Sequence, residues 1–198
     1  MKKLVLTAIA ALALTIAPAT ALAAPVKFGS KLNPTVQPSN SLPGLDCGEA
    51  ASGPCTFVQQ EAYGRPDGGE LAPKTGTIKK IRLIAGGPGS FKLQIAKVKR
   101  STLFGTNEAK VVANGPRISY QGQTEANDEA GSYRVESFDV NVPVKKGQQL
   151  ALKGNLTSMI RCSSGGDNTL IYTPPLGNSF RPATNTDGCW ILMEAVIR

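Results

Sequence analysis

The sequence predicts an all-β protein: a single antiparallel β-sandwich, jelly-roll-like in type. Two observations predict it. Short apolar segments alternate with polar residues at a period of two, and Gly, Pro and Asn recur between these segments. Segments with the length and periodicity of an ordinary amphipathic helix are missing. Two sheets packed about 10 Å apart would bury the alternating apolar residues of such a chain.

Seven segments carry the strand pattern. In residues 77–84 (TIKKIRLI), Ile81 and Leu83 fall on one face and polar residues on the other. Residues 190–198 are apolar on both faces as far as Glu194, which favours a central strand, with a short helix as the alternative. The predicted strands are 56–60, 77–84, 91–95, 137–144, 149–153, 170–173 and 190–198.

The middle and end of the chain resemble small exported β-sandwich proteins of bacteria, which have jelly-roll or galactose-binding-like domains and mostly lack an assigned function. The resemblance rests on Gly76-x-Ile78-x-x-Ile81-x-Leu83, on residues 138–144 and on Val144-x-x-Gly147-x-x-Leu150-x-Leu152. It extends over residues 55–198. It implies a β-sandwich and no active site.

The first 23 residues have the features of a secretory signal peptide. Lys2 and Lys3 precede an apolar stretch, and Ala21-Leu22-Ala23 is a typical cleavage site. The alternative, a transmembrane anchor, is disfavoured because the apolar run is too short and Pro18 interrupts it. We therefore expect a secreted, extracellular protein without a membrane span in its mature chain.

The remainder divides into a leader and a domain. Residues 24–46 hold four Pro without clear periodicity, which indicates a flexible leader. Residues 47–198 form the predicted β-sandwich domain.

Four cysteines fit an oxidising compartment. An even number of Cys in an exported chain indicates disulfides, and we favour Cys47–Cys55 and Cys162–Cys189 among three possible pairings. The alternative is a four-cysteine metal site, but the close C-x-x-C pairs typical of such sites are missing. We expect no metal and no cofactor.

Composition narrows the possible functions. The chain has 22 Lys plus Arg against 14 Asp plus Glu, a net charge of +8, and no His. Without His, Ser-His-Asp and Cys-His catalysis and His-ligated zinc are excluded. Catalysis by paired carboxylates stays open, with Glu61, Glu136, Asp139 and Glu194 among the candidates. We expect Glu194 to point outward at a strand end, with a buried carboxylate as the alternative.

A basic stretch supplies the first candidate binding residues. Residues 71–107 hold eight cations and no acid. If adjacent strands carry them, then Lys80, Arg82, Lys92 and Gln94 share a face that attracts polyanions. The alternative is a solvated sheet face whose charges discourage edge pairing. A nucleic acid is the weakest candidate partner, because the sequence has no nucleic-acid-binding motif.

Aromatic and acidic residues supply further candidates. Tyr120, with Gln121 and Gln123, has the character of a sugar-binding site, in which a ring stacks on the sugar and amides bond its hydroxyls. Trp190 and Tyr172 have the same chemistry, but core packing is the favoured explanation for both. Oxygen-rich loops at residues 67–70, 127–129 and 167–168 could hold calcium, but polar turn chemistry is the simpler and favoured explanation for each.

These observations favour a non-catalytic exported module that binds a glycan or an anionic cell-surface polymer. A structural or protein-interaction surface protein is the second hypothesis, and a carboxylate-based glycan hydrolase or lyase is the third. The oligomeric state stays open.

Overall fold

The computed structural model describes residues 24–33, 47, 53–66, 68–100, 106–123, 133–156, 158–162 and 166–198, with Cys162 described through its backbone alone. These residues form thirteen strands and, within the described ranges, no helix. The all-β prediction is therefore confirmed. The strands are β1 (Val26–Gly29), β2 (Cys55–Gln59), β3 (Gly76–Leu83), β4 (Gly89–Lys99), β5 (Glu108–Tyr120), β6 (Glu136–Val144), β7 (Gln149–Gly154), β8 (Ile160–Cys162), β9 (Thr169–Tyr172), β10 (Arg181–Pro182), β11 (Asn185–Asp187), β12 (Cys189–Ile191) and β13 (Met193–Ile197).

The strands pair antiparallel in two main sheets. The four-stranded sheet has the order β1-β13-β3-β6, and the seven-stranded sheet has the order β10-β5-β4-β7-β2-β9-β11. A short pair, β12-β8, stands beside them. Setting aside the short strands between β7 and β13, one sheet holds the first, last, third and sixth strands, and the other holds the fifth, fourth, seventh and second. This is the strand order of a jelly roll.

The core contains side chains from both sheets. Phe57, Phe91 and Leu93 of the seven-stranded sheet belong to the same buried cluster as Ile81 and Leu83 of the four-stranded sheet. Alternate residues of each strand face this cluster, as the period of two predicts. The intervening residues therefore point away from the core, and the two outer faces carry most of the strand cations.

Part of the predicted leader belongs to the fold. Residues 26–29 form β1, which pairs with β13, and Phe28 is buried in the core. The fold therefore includes residues that precede Cys47. The sequence did not predict β1, because a single aromatic residue among prolines is too weak a signal for a strand. The signal peptide and residues 34–46 lie outside the described residues.

The sequence also failed to predict β5, a strand of thirteen residues. Its pairing with β4 shifts register twice, between Lys92 and Gln94 and between Ile95 and Ala96. Each bulge moves the following side chains to the opposite face. The apolar residues of β5 therefore do not alternate regularly, and the Gly115-Pro116 pair resembles a turn.

The predicted Cys47–Cys55 bridge is confirmed, with a Cα–Cα distance of 5.5 Å. For the second predicted bridge, Cys189 is disulfide-bonded, and the backbone of Cys162 lies opposite it in the β12-β8 pair. The side chain of Cys162 lies outside the described residues.

One segment crosses the outer face of the seven-stranded sheet. This cover segment (residues 173–184) places Leu176 against Val58, Ala151 and Tyr172 in a second apolar cluster. The Gly177 carbonyl accepts a hydrogen bond of 2.7 Å from the Val111 amide, and β10 pairs with the start of β5. The cover segment therefore hides part of this sheet face and leaves the rest open. No helix in the described ranges is long and apolar enough to cross a membrane.

Candidate functional site

Three cations lie side by side on the outer face of the seven-stranded sheet. Lys92 of β4 is the register partner of Arg117 of β5 and of Lys153 of β7. Directly opposite residues on antiparallel strands project from the same face, with Cβ atoms about 5 Å apart. Arg117, Lys92 and Lys153 therefore form one line across the strands, which we call the cationic row.

The cationic row borders a groove beside the cover segment. The groove has a volume of about 320 Å³. Its described lining residues are Lys92, Gln94, Val111, Val112, Asn114, Lys153, Leu176, Gly177 and Asn178. This lining combines ammonium groups, amides and some apolar surface, and it includes no carboxylate.

The floor of the groove is held by hydrogen bonds. Gln94, which is 4% exposed, donates from its amide nitrogen to Asn114 Oδ1 at 3.0 Å and accepts from the Thr56 hydroxyl at 3.2 Å. The Thr56 hydroxyl in turn accepts from the Leu176 amide of the cover segment at 3.1 Å. The amides beside the cationic row are therefore positioned by both the sheet and the cover segment.

The electrostatics of the cationic row are unfavourable to folding. Like charges directly opposite each other destabilise a sheet. Arg117 donates to the Ser90 hydroxyl at 2.9 Å, but none of the three cations forms an ion pair with an acid among the described residues. With no acidic partner for the row among the described residues, its positive charges would attract an anionic ligand.

The predicted basic face does not exist as a single surface. Lys80 and Arg82 lie on β3 in the four-stranded sheet, whereas Lys92 and Gln94 lie on β4 in the seven-stranded sheet. Strands that follow each other in the sequence were assumed to be neighbours, but the chain crosses from one sheet to the other between them. The structure thus brings together only Lys92 and Gln94 of these four residues.

Three of the four strand cations on the four-stranded sheet are paired with acids, whereas Lys79 donates to Asn141 Oδ1. Lys80 contacts Asp139 at 2.9 Å, and Arg82 contacts Glu194 at 2.6 Å. Glu194 also meets Arg65 at 2.6 Å and Lys27 at 3.3 Å. This outer face is largely neutralised from within the protein.

Glu194 corrects our expectation of an outward, exposed carboxylate. Its side chain does leave the core, but Glu194 is only 3% exposed because Arg65 and its loop cover it. Arg65 also donates to the Gly29 carbonyl at 2.5 Å. The carboxylate therefore ties β1, β3, β13 and the loop before β3 together.

The predicted sugar-binding group is not part of the groove. Tyr120 is 2% exposed, packs against Phe91 with ring centroids 6.1 Å apart, and places its hydroxyl 3.1 Å from that of Ser158. Burial raises the pKa of this tyrosine. The Gln121 amide bonds to Glu136 at 3.2 Å, and Gln123 Oε1 accepts from the Arg134 amide at 2.7 Å. Tyr120 thus offers no free ring to a sugar, and the two glutamines lie outside the groove lining.

Trp190 and Tyr172, the other aromatic candidates, occupy different environments. Tyr172 is fully buried beneath the cover segment, and this burial raises its pKa. Trp190 is half-buried and meets Tyr63 edge-on, with an interplanar angle of 68°. Two rings at such an angle do not form one flat platform for a sugar.

The oxygen-rich loops give no cation site that can be described. Residues 127–129 and Asp67 lie outside the described residues. Asp167 accepts a hydrogen bond from the Thr186 hydroxyl at 2.8 Å, and Asn168 donates to the Gly188 carbonyl at 2.6 Å. The turn chemistry that we weighed against calcium accounts for this last pair.

Sequence reasoning missed Arg117 and Lys153 of the cationic row and Asn114 and Asn178 of the groove lining. Lys153 ends a predicted strand, but nothing in the sequence pairs it with Lys92. Arg117 follows a Gly-Pro pair, which is typical of a turn rather than of the middle of a strand. The sheet register brings Arg117, Asn114 and Lys153 to β4, and the cover segment brings Asn178 to the groove.

No protein-family model, curated protein or solved structure matches the chain.

Proposed function

We propose that this protein is an exported, non-catalytic binding module for an anionic glycan or cell-surface polymer, which it holds in the groove of the seven-stranded sheet. The observation that carries this proposal is the cationic row. Three neighbouring cations lack an acidic partner among the described residues, although like charges in this position cost folding stability. A ligand with anionic groups would offset that cost.

The groove lining supports recognition rather than chemistry. Lysine ammonium groups attract anions, and Asn and Gln amides both donate and accept hydrogen bonds, as sugar hydroxyls require. The described lining offers no carboxylate and no hydroxyl nucleophile. Gln94 and Asn114 are already fixed by hydrogen bonds, which reduces the entropy lost on binding.

The compartment is part of the proposal. Disulfides persist in oxidising environments, and Cys47–Cys55 is such a bond. The signal-peptide features of residues 1–23 also support an extracellular location. An extracellular location would bring the groove into contact with acidic wall or matrix polymers.

Binding to polygalacturonic acid, with neutral dextran as the control, tests the proposal. At low ionic strength, we expect calorimetry or microscale thermophoresis to detect binding of the acidic polymer to the protein and no binding of dextran. Raising the salt to about 0.5 M should weaken binding about tenfold or more, because exposed charges are then screened beyond a few ångströms. If neither polymer binds at low salt, the proposal is wrong.

A pair of matched variants locates the site. The double variant Lys92→Gln/Lys153→Gln should lose about tenfold in affinity, since each exposed ion pair contributes up to about 1 kcal/mol. The control Lys79→Gln/Lys80→Gln removes the same charge from the other sheet and should bind normally. Equal losses in the two variants would show that net charge, rather than the groove, is responsible.

A further inference from the structure

Within this proposed function, the register points to the form of the ligand. We propose that the groove binds a linear acidic polysaccharide that lies across the strands, with successive carboxylates on Lys153, Lys92 and Arg117. The inference rests on the proposed function, and it adds the direction of the chain, the number of charges read and the chemistry of the polymer.

The spacing of the cationic row favours a chain over a single anion. Neighbouring strands lie about 4.8 Å apart, so the row repeats one cation per strand over three strands. A single carboxylate placed between Lys92 and Lys153 leaves Arg117 without a partner. A chain with one charge per repeating unit can satisfy all three cations.

The surroundings of the row define the direction. Along β4, Lys92 is followed on the same face by the buried Gln94 and then by Ala96, which lies in the apolar cluster with Leu176 of the cover segment. A chain that ran along the strand would leave the cations and meet the cover segment. A chain that runs across the strands stays on cations and has Gly177 and Asn178 along its side.

The two ends of the row differ. Beyond Lys153, the next residue in the row is Thr56, which is fully buried and bonded to the Leu176 amide. Beyond Arg117, no further strand pairs with β5 in the described part of the chain, since β10 pairs only with Glu108 and Ala109. The cationic row therefore ends at a buried residue on the β2 side and at solvent on the β5 side. It can contact three anionic groups of a ligand.

The amides distinguish a polysaccharide from a polyphosphate of equal charge. Asn114 and Asn178 are exposed at the groove. Asn114 Oδ1 already accepts a hydrogen bond from Gln94, so the amide nitrogen of Asn114 is the group that it offers to the ligand. Sugar hydroxyls can use such donors, together with the carbonyl oxygen of Asn178. A polyphosphate has no donor for the Asn178 oxygen.

Titration with oligogalacturonates of one to six units at low salt tests the inference. We expect the affinity to rise about threefold with each of the second and third charges and then to level off. Equal affinity for one unit and for six would mean a single-anion site. An undiminished rise up to six units would mean diffuse attraction. Either result would overturn the inference while leaving anion binding intact, whereas no binding at any length, or to polygalacturonic acid, would overturn the proposed function itself.

Two variants separate the charge and sugar components. Arg117→Gln should reduce the affinity for the trimer to about that for the dimer and lower the dimer's own affinity by no more than about twofold, because Lys153 and Lys92 still bind it. Asn178→Ala should lower the affinity for oligogalacturonates and leave the affinity for short polyphosphates of the same length unchanged. If Arg117→Gln weakens monomer and trimer equally, or if polyphosphates bind as tightly as the sugars and respond equally to Asn178→Ala, the assignment of a cross-strand polysaccharide is wrong.

Discussion

The two outer faces of the sandwich carry the same kind of charge and use it differently. On the four-stranded sheet, Arg82 and Lys27 meet the buried Glu194, and Lys80 meets Asp139. On the seven-stranded sheet, the three cations of the row meet no acid among the described residues. A cation that has an acidic partner in the fold stabilises the fold, whereas a cation without one is available to a ligand.

This difference shows why a count of charges is a poor guide to a binding surface. The eight cations of residues 71–107 are continuous in sequence, but the chain distributes them over both faces. Arg100 and Lys99, from the same stretch, pair with Glu70 and Glu108. Within this stretch, Lys92 is the residue that joins the cationic row.

The largest effect should come from removing the acid that neutralises the four-stranded face. Glu194→Gln leaves Arg65, Arg82 and Lys27 close together without a counter-charge. Loss of one partner of a buried ion pair lowers the free energy of unfolding by about 3 kcal/mol or more. Because the two arginines are partly exposed to solvent, we expect a loss of about 2–3 kcal/mol for this variant. Urea unfolding followed by tryptophan fluorescence would measure the change in the free energy of unfolding.

Asp139→Asn is the matched control for that variant. Asp139 is 87% exposed, so the same loss of a carboxylate should cost less than about 1 kcal/mol. A larger loss from Asp139→Asn than from Glu194→Gln would contradict the distinction between buried and exposed pairs.

Alkaline pH should lower the free energy of unfolding through two buried tyrosines, one in the core and one beneath the cover segment. Burial raises the pKa of Tyr172 beneath the cover segment and that of Tyr120 in the core. The folded protein therefore retains these protons at a pH where the unfolded chain loses them. Stability from this source is complete below about pH 10, the usual tyrosine pKa, and falls as the pH rises further.

The measurement is urea unfolding at several pH values, with phenolate absorbance recorded in parallel. We expect Tyr120 and Tyr172 to ionise only as the protein unfolds. The four tyrosines ionising together in the folded state would contradict the burial of Tyr120 and Tyr172.

Reversing one charge in the cationic row should separate stability from binding. Lys153→Glu places an acid opposite Lys92, and opposite charges in that position stabilise a sheet by about 0.2–1 kcal/mol. The same change should weaken binding to polygalacturonic acid by about tenfold or more. A variant that is destabilised, or that binds the polymer as tightly as the unchanged protein, would contradict the proposal that the row is kept for a ligand.

The smallest effect should come from Lys80→Gln. This lysine contributes to an exposed pair and lies on the face opposite the groove, so its loss should change stability by less than about 1 kcal/mol and leave affinity unchanged. A clear loss of polymer binding in this single variant would extend the binding surface to the four-stranded sheet.

Much of the fold was predictable from the sequence because its regular strands alternate cleanly. In β6 the apolar residues recur at every second position, as do Phe91, Leu93 and Ile95 of β4, and the predicted segments overlap the observed strands. Where bulges break the alternation, as in β5, the pattern fails. The four-residue β1 was missed because its stability comes from pairing with β13 at the far end of the chain.

The groove was predictable only in part. Lys92 and Gln94 were identified as polar residues on the outer side of a strand, which alternation shows directly. Their partners were not, because Arg117 and Lys153 reach them through strand order and register, and neither quantity is encoded locally. Glu194 was misjudged for the same reason: the loop that covers it carries Arg65, more than a hundred residues earlier.

The most direct test of the central claim is an NMR titration of the isotope-labelled protein with trigalacturonate at low salt. The account predicts that the shifted amide signals belong to β4, β5 and β7 around Lys92, Arg117 and Lys153 and to the cover segment near Asn178. Signals of β1, β3 and β13 around Glu194 should remain in place. Shifts centred on Lys80, Arg82 and Lys27, with the groove unaffected, would contradict it.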